Sequence, residues 1–170
     1  MEKIEYYPYL FRLENTDRYL IWSTESPSRI SLINGKLAQF SSISHLEDFA
    51  KLIGIEIEKN SDPILVDLDL IIRFIQAPQK SSFDASQSLS AWNLIDDSLF
   101  SCLGETNSFR KEFRSKRSLY EKLFFDNNYY FYDRSRSSSG ITWSNANIIE
   151  IAEILSLGTG LFRNNLTDIQ

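Results

Sequence analysis

The chain has 170 residues, of which 42% are hydrophobic and 14% aromatic, and its formal net charge is -5. This length and aromatic content fit one domain with a buried core and exclude a chain that is disordered throughout. One cysteine and one histidine exclude an intramolecular disulfide and most metal sites, and the acidic charge disfavours general binding to nucleic acid. We therefore expect a single domain over residues 1–170, with a polar tail that frays from about residue 164.

Alternating apolar residues predict an antiparallel meander of three or four strands at the N-terminus. Residues 7–13 and 18–23 are two such runs, separated by a polar turn. Asn34 and Gly35 then give the strongest hairpin signal in the chain, because both residue types tolerate positive φ. Residues 36–40 are the expected returning strand.

The chain then changes to helical spacing. Ser44 and Glu47 match a capping box, which predicts the start of a helix, and Gly54 is a natural stop. Residues 55–58 alternate apolar and acidic side chains, as a short strand does.

Residues 64–76 fit both a strand and a helix. We favour a helix, because Asp62 and Pro63 resemble an N-cap followed by proline at the first helical position. Further helices are predicted over residues 89–104, 109–126 and 148–158. Residues 129–132 are four consecutive aromatics and are predicted to form a strand. The expected fold is α+β: an N-terminal antiparallel β-meander of three to four strands packed by about five helices.

Few residues are candidates for catalysis. His45 lies in the predicted capping turn, and Cys102 lies on the apolar face of its predicted helix, where a free cysteine packs as a small hydrophobe. Two carboxylate pairs, Asp67 with Asp69 and Asp96 with Asp97, have the residue types for a divalent cation or for glycoside hydrolysis. Neither pair belongs to a full ligand or catalytic pattern. We therefore expect a protein that is not an enzyme and has no cofactor and no metal.

Charge is distributed unevenly along the chain. Residues 47–69 hold seven acidic side chains and two basic ones, whereas residues 110–136 hold eight basic and four acidic. The acidic window predicts a surface that steers a basic partner into contact. In the basic segment, the aromatic residues Phe113 and Tyr120 occur at helical spacing and are expected to face the core, so nucleic-acid binding is disfavoured.

The order of these features resembles the bacterial immunity proteins of contact-dependent growth inhibition and related polymorphic toxin systems. The resemblance rests on the hairpin around Asn34 and Gly35, the segment SSISHLEDFAKLIGI (41–55), the acidic stretch and the segment SAWNLIDDSLF (90–100). It implies a protein that binds a cognate toxin domain, often a nuclease with a basic cleft, and it assigns no contact residue. The sequence shows neither a secretory signal nor a membrane span, which predicts a cytoplasmic protein without a membrane partner.

The predicted contact surface follows from the residues themselves. Glu56 and Glu58 alternate with isoleucines and are expected to point outward. Asp67 and Asp69 flank Leu68 and cannot both be buried without partners, because burying an isolated carboxylate is costly. These four residues are the first choice, Asp96 and Asp97 the second, and the exposed side of residues 129–132 the next. Two other functions stay open, another protein-binding adaptor or regulator and a carboxylate-dependent enzyme, and so does the oligomeric state.

Overall fold

The computed structural model of the chain describes residues 3–59, 62–135 and 137–169. Within these residues the strands are β1 (Tyr6–Leu13), β2 (Thr16–Ser23), β3 (Arg29–Ile30), β4 (Leu32–Ile33), β5 (Lys36–Gln39), β6 (Val66–Asp67) and β7 (Leu166–Asp168). The α-helices are α1 (Ile43–Leu52), α2 (Leu68–Gln76), α3 (Ala85–Leu103), α4 (Ser108–Ser115), α5 (Arg117–Tyr132) and α6 (Asn145–Asn164), and a short 3₁₀ helix covers Lys80–Ser82. The predicted α+β class, with an N-terminal antiparallel arrangement packed by helices, is confirmed.

The N-terminal sheet has the strand order β3-β2-β1-β6. β1 and β2 form an antiparallel hairpin that closes with Leu13 opposite Thr16. Glu14 and Asn15 turn the chain with φ angles of 55° and 56°, which matches the twist of a two-residue hairpin. β3 continues the meander, and β6 is added parallel to β1.

A second, smaller sheet has the order β4-β5-β7. Its hairpin turns at Asn34 and Gly35, with φ angles of 51° and 76°, so the predicted hairpin is confirmed. β7 pairs parallel to β5, with Leu37 opposite Leu166. The prediction that the tail frays from about residue 164 is therefore corrected: backbone pairing with β5 holds residues 166–168.

Two helix starts differ from the predicted ones. Ser42, not Ser44, caps α1 by accepting a hydrogen bond from the His45 amide at 3.2 Å. Asp67, not Asp62, caps α2, and its Oδ1 accepts from the Leu70 amide at 2.9 Å. The ambiguity of residues 64–76 has a simple origin, because this segment contains a short strand directly followed by a helix.

The aromatic run at residues 129–132 is helical, so the predicted strand is wrong. α5 continues through this run to Tyr132, and the Asp133 amide bonds to the Tyr129 carbonyl at 2.9 Å. Asn127 and Asn128, which follow the predicted helix, bond through their side chains to carbonyls four residues earlier, each at 2.8 Å. Their amides are thereby satisfied inside the helix.

Successive residues of β2 pack into two separate hydrophobic cores, one on each face of the sheet. Leu20 belongs to the larger core, which also contains Trp92 of α3 and Phe162 of α6. Ile21 belongs to a smaller core with Leu46 of α1. Because successive side chains of a strand point to opposite faces, the N-terminal sheet lies between α1 on one face and α2, α3 and α6 on the other. Among the described residues, no helix combines the length and the apolar character that a membrane span requires.

Candidate protein-binding site

An open groove of about 540 Å³ lies between α1 and the segment that follows it, residues 55–59. We call it the α1 groove. Its lining residues are Glu47, Ala50, Lys51, Ile55, Glu56, Ile57, Glu58 and Lys59. The groove therefore contains Glu56 and Glu58, two of the four carboxylates that were the first choice for the contact surface.

The C-terminus of α1 explains why the two walls of the groove lie side by side. Gly54 adopts a φ of 76° directly after the helix. The Gly54 amide bonds to the Lys51 carbonyl at 3.1 Å, and the Ile55 amide bonds to the Ala50 carbonyl at 3.0 Å. These two bonds form a Schellman motif, in which a left-handed residue reverses the chain. Residues 55–59 consequently run back along α1.

The middle of residues 55–59 is held to the N-terminal sheet at one point. Tyr6 and Ile57 form an isolated parallel bridge, and the Glu58 amide donates to the Tyr6 carbonyl at 2.8 Å. The Ile57 side chain is buried with Leu46 and Ala50 of α1. The short strand predicted over residues 55–58 is reduced to this single bridge at Ile57. Ile57 is buried and Glu56 exposed, as expected, but the Glu58 side chain is only 24% exposed.

Ion pairs engage most charges of the α1 groove. Glu47 of one wall binds Lys59 of the other at 2.9 Å, and Glu58 binds Lys3 at 3.2 Å. The pKa of Lys3 is raised, mainly by its hydrogen bond to Glu58. Glu56 makes no ion pair or side-chain hydrogen bond within the described part of the chain. Glu56 is thus the lining carboxylate that has no ion pair or side-chain hydrogen bond to the described residues.

Two exposed apolar residues lie beside the groove at the end of α1. Leu52 is 82% exposed and Ile53 is 49% exposed. The helix ends at Leu52, and Ile53 is its C-cap residue. The exposure of Leu52 had a sequence signal, because Leu52 lies outside the apolar spacing of Leu46 and Ala50.

Asp67 and Asp69 are occupied by contacts within the chain. Asp67 caps α2 and lies 3.8 Å from the Arg12 guanidinium. Asp69 accepts from the amides of Glu14 and Asn15, at 2.8 and 2.7 Å. Both carboxylates therefore stabilise local structure at the far end of β1.

Asp96 and Asp97 are also occupied. Arg110 binds both oxygens of Asp96, each at 2.8 Å. Asp97 accepts from the Trp22 indole at 2.8 Å. Burial raises the pKa of Asp97, and the charge of Asp96 adds to this, while the Trp22 hydrogen bond and Arg110 oppose it.

The structure does not bring the six predicted carboxylates together. Glu58 lies next to Tyr6 at one end of β1, and Asp67 lies opposite Arg12 near the other end. Six residues of extended strand separate these positions by about 20 Å. Asp97 lies against Trp22, on the sheet face that α3 covers. Among these six carboxylates, Glu56 is the one without an ion pair or side-chain hydrogen bond to the described residues.

Within the basic segment, residues 110–122 span α4 and the start of α5, and four of their basic side chains make ion pairs. Arg110 and Arg114 bind Glu105, Lys116 binds Glu150, and Arg117 binds Glu121. Phe113 and Tyr120 pack against Trp92, with ring centroids 5.6 Å away in each case. The prediction that these aromatics face the core is confirmed.

A second exposed apolar feature lies at the end of α5. Tyr130, Phe131 and Tyr132 are 55%, 79% and 66% exposed. The sequence predicted a strand with one exposed side. The structure instead exposes these side chains around the last turn of a helix.

The remaining chemical candidates have ordinary surroundings. His45 contacts the edge of Phe40, with ring centroids 5.9 Å apart. Burial raises the pKa of Cys102, which favours the unreactive thiol. Across residues 3–59, 62–135 and 137–169, no group of three or more histidine, cysteine or acidic side chains is placed to hold a metal ion.

Comparisons with known proteins give one structural likeness. No family model and no curated protein matches the chain. The fold is similar to that of the SatS C-terminal domain, solved in complex with bromine, with a TM-score of 0.55. The two chains are 14% identical, and the match covers 98% of this chain and 94% of the other. At this identity the likeness concerns the fold alone.

Proposed function

We propose that this protein is an immunity protein that binds a cognate toxin domain, a nuclease, and blocks its active site. The observation that carries the proposal is the position of Glu56: an exposed carboxylate without an ion pair among the described residues, on the rim of the α1 groove. A nuclease cleft presents lysine and arginine to phosphate groups, and a carboxylate competes for the same side chains.

The apolar residues beside Glu56 support a protein partner. Leu52 and Ile53 expose apolar surface next to the charged rim. Protein interfaces combine an apolar centre, which supplies the affinity, with charges at the rim, which speed the encounter. The α1 groove and the end of α1 have this composition. Under this proposal the protein acts in the cytoplasm of the cell that it protects.

A second candidate is an adaptor or regulator that binds through the end of α5. The exposed Tyr130, Phe131 and Tyr132 favour it, because tyrosine gives contact area at low entropic cost. A carboxylate-dependent enzyme has less support, because Asp67, Asp69, Asp96 and Asp97 are each bound to groups of the same chain.

Co-expression with the toxin domain encoded beside this gene tests the proposal. The wild-type protein should restore growth of cells that express this domain, and Glu56→Lys should weaken protection and the affinity for the domain by roughly tenfold or more, because like charges then meet. Glu153→Lys is the matched control, since Glu153 is an exposed carboxylate on α6 and the change in net charge is the same. Normal protection by Glu56→Lys would exclude this surface, and absence of protection by wild type would exclude the function.

A further inference from the structure

The α1 groove has an unpaired backbone edge. The Glu58 amide points to β1, where it bonds to the Tyr6 carbonyl. Successive residues of an extended chain direct their backbone groups to opposite sides, so the amide and carbonyl of Ile57 point away from β1. No hydrogen bond to either group is found among the described residues. Such an edge is a ready acceptor for another strand.

We propose that the α1 groove binds an extended segment of the partner, which adds a strand along residues 55–59. This inference rests on the proposed function and specifies how the partner is held. A peptide strand placed between a helix and a sheet edge gains main-chain hydrogen bonds from the edge and specificity from side chains on the walls. The groove supplies the edge at Ile57 and the helical wall at Glu47, Ala50 and Lys51.

The charges around the groove select a basic segment. Glu58 binds Lys3 at 3.2 Å, Glu47 binds Lys59 and Lys51 binds Asp48, so Glu56 is the lining carboxylate that has no ion pair among the described residues. Glu56 follows Ile55 and precedes Ile57, and therefore flanks the path of an added strand. A lysine or arginine of that strand, placed opposite Glu56, completes a cross-strand pair of opposite charge.

The helical wall limits where the segment lies. The ion pair between Glu47 and Lys59 links the two walls at one end of the groove. At the other end the chain turns at Gly54, next to Leu52 and Ile53. We expect apolar side chains of the segment to pack on these two exposed residues, which precede the turn into the groove. The expected occupant is therefore a strand that combines basic and apolar residues, not a helix.

A synthetic probe tests strand addition directly. The probe is a capped peptide of about eight residues in which lysine alternates with valine, a length that exceeds residues 55–59. One control peptide has glutamate in place of lysine, and another carries N-methyl groups on alternate backbone nitrogens, which removes the donors for edge pairing. Amide NMR spectra of the full-length ¹⁵N-labelled protein follow each titration.

We expect binding with a Kd on the order of 1 mM or tighter, with shifts concentrated in residues 47–59. Hydrogen exchange of the Ile57 amide should slow by roughly tenfold or more at saturation, as a new bond protects it. The Glu58 amide serves as internal control, because it is already bonded to Tyr6. Glu56→Lys should reverse the preference between the lysine and glutamate peptides, whereas Glu153→Lys should leave it unchanged.

Several results would overturn strand addition: no shifts in residues 47–59, equal binding of the N-methylated peptide, or unchanged exchange at Ile57. Protection of Ile57 that rises with protein concentration and without peptide would assign the edge to a second copy of this chain. The two proposals fail separately. Loss of toxin affinity in Glu56→Lys without peptide binding would retain the immunity function and reject strand addition. Peptide binding without toxin neutralisation would retain strand addition and reject the immunity function.

Discussion

The indole nitrogen of Trp22 donates a hydrogen bond to Oδ2 of Asp97 at 2.8 Å, and so ties β2 to the middle of α3. The two residues are 75 positions apart in the sequence. This bond opposes the effect of burial, which raises the pKa of Asp97. The Asp97 carboxylate is therefore held by a contact inside the fold, and its charge is not free to meet a partner.

The raised pKa of Asp97 predicts a pH dependence of stability. The folded protein binds the Asp97 proton more tightly than the unfolded chain, so this residue lowers the free energy of unfolding as pH rises from about 4 through the raised pKa. Asp97→Asn keeps an acceptor for Trp22 and removes the charge. We expect the variant to lose this contribution and to be more stable than wild type at neutral pH. Urea unfolding of both proteins at several pH values measures this difference in the free energy of unfolding. Identical pH profiles would contradict the raised pKa of Asp97.

Removing the donor should have the opposite effect on stability. Trp22→Phe leaves the partly buried Asp97 carboxylate without its indole partner, and we expect a loss of about 1–3 kcal/mol in the free energy of unfolding. The loss should shrink when Asp97→Asn is combined with it, because an uncharged group costs less to bury. Additive effects in this double-mutant cycle would show that the two side chains act independently.

Asp69 and Glu56 should differ sharply in their contribution to stability. Asp69 accepts two amides in the turn between β1 and β2, so Asp69→Ala should lower the free energy of unfolding by about 1–3 kcal/mol. Glu56→Ala should change it by less than about 0.5 kcal/mol, because Glu56 is exposed and away from caps and cores. Denaturant unfolding of both variants decides between the two roles. Equal losses of stability in the two variants would contradict the claim that Asp69 holds the turn whereas Glu56 makes no stabilising contact.

The fold was predictable where a local signal decides the structure. Asn34 and Gly35 specify a hairpin by their own backbone preferences, and alternation along residues 55–58 correctly placed Glu56 outward. The extension of α5 was not predictable, because the Asn127 and Asn128 side chains satisfy carbonyls in a way that composition does not reveal.

The candidate site was predictable only in part for a related reason. Asp69 meets the turn at Glu14 and Asn15 from more than 50 positions away, and Asp97 meets Trp22 from 75 positions away. Sequence spacing locates carboxylates on an element, but it does not show which of them tertiary contacts will occupy. The only sequence indication that Leu52 is exposed is its position outside the apolar spacing of Leu46 and Ala50 in α1.

Two glycines of α6 should respond differently to the same substitution. A Cβ at Gly158 would lie 2.7 Å from side-chain atoms of Ile95 and Phe109, whereas a Cβ at Gly160 meets no atom within 4 Å. Gly158→Ala should therefore cost about 1–3 kcal/mol of stability through overpacking. Gly160→Ala should stabilise the helix by up to about 1 kcal/mol. Thermal unfolding of the two variants measures both signs, and a neutral Gly158→Ala would contradict the close contact of α3, α4 and α6.

The histidine and the cysteine should be dispensable for function. His45 contacts Phe40 at a ring edge, and burial keeps Cys102 in the thiol form. We expect His45→Ala and Cys102→Ser to bind the toxin domain with wild-type affinity in calorimetry. Loss of protection in a folded His45→Ala variant would overturn the account of a protein that acts by binding alone.

The most direct test of the account is the rate at which this protein associates with the toxin domain, measured by stopped flow at low and at physiological salt. Rim charges mainly accelerate encounter, and salt screens them over about 8–10 Å. We predict that the wild-type association rate falls with added salt and that Glu56→Lys slows it by roughly tenfold at low salt. Glu153→Lys should behave as wild type. An association rate that is independent of salt, with Glu56→Lys equal to Glu153→Lys, would contradict the claim that the α1 groove receives the toxin.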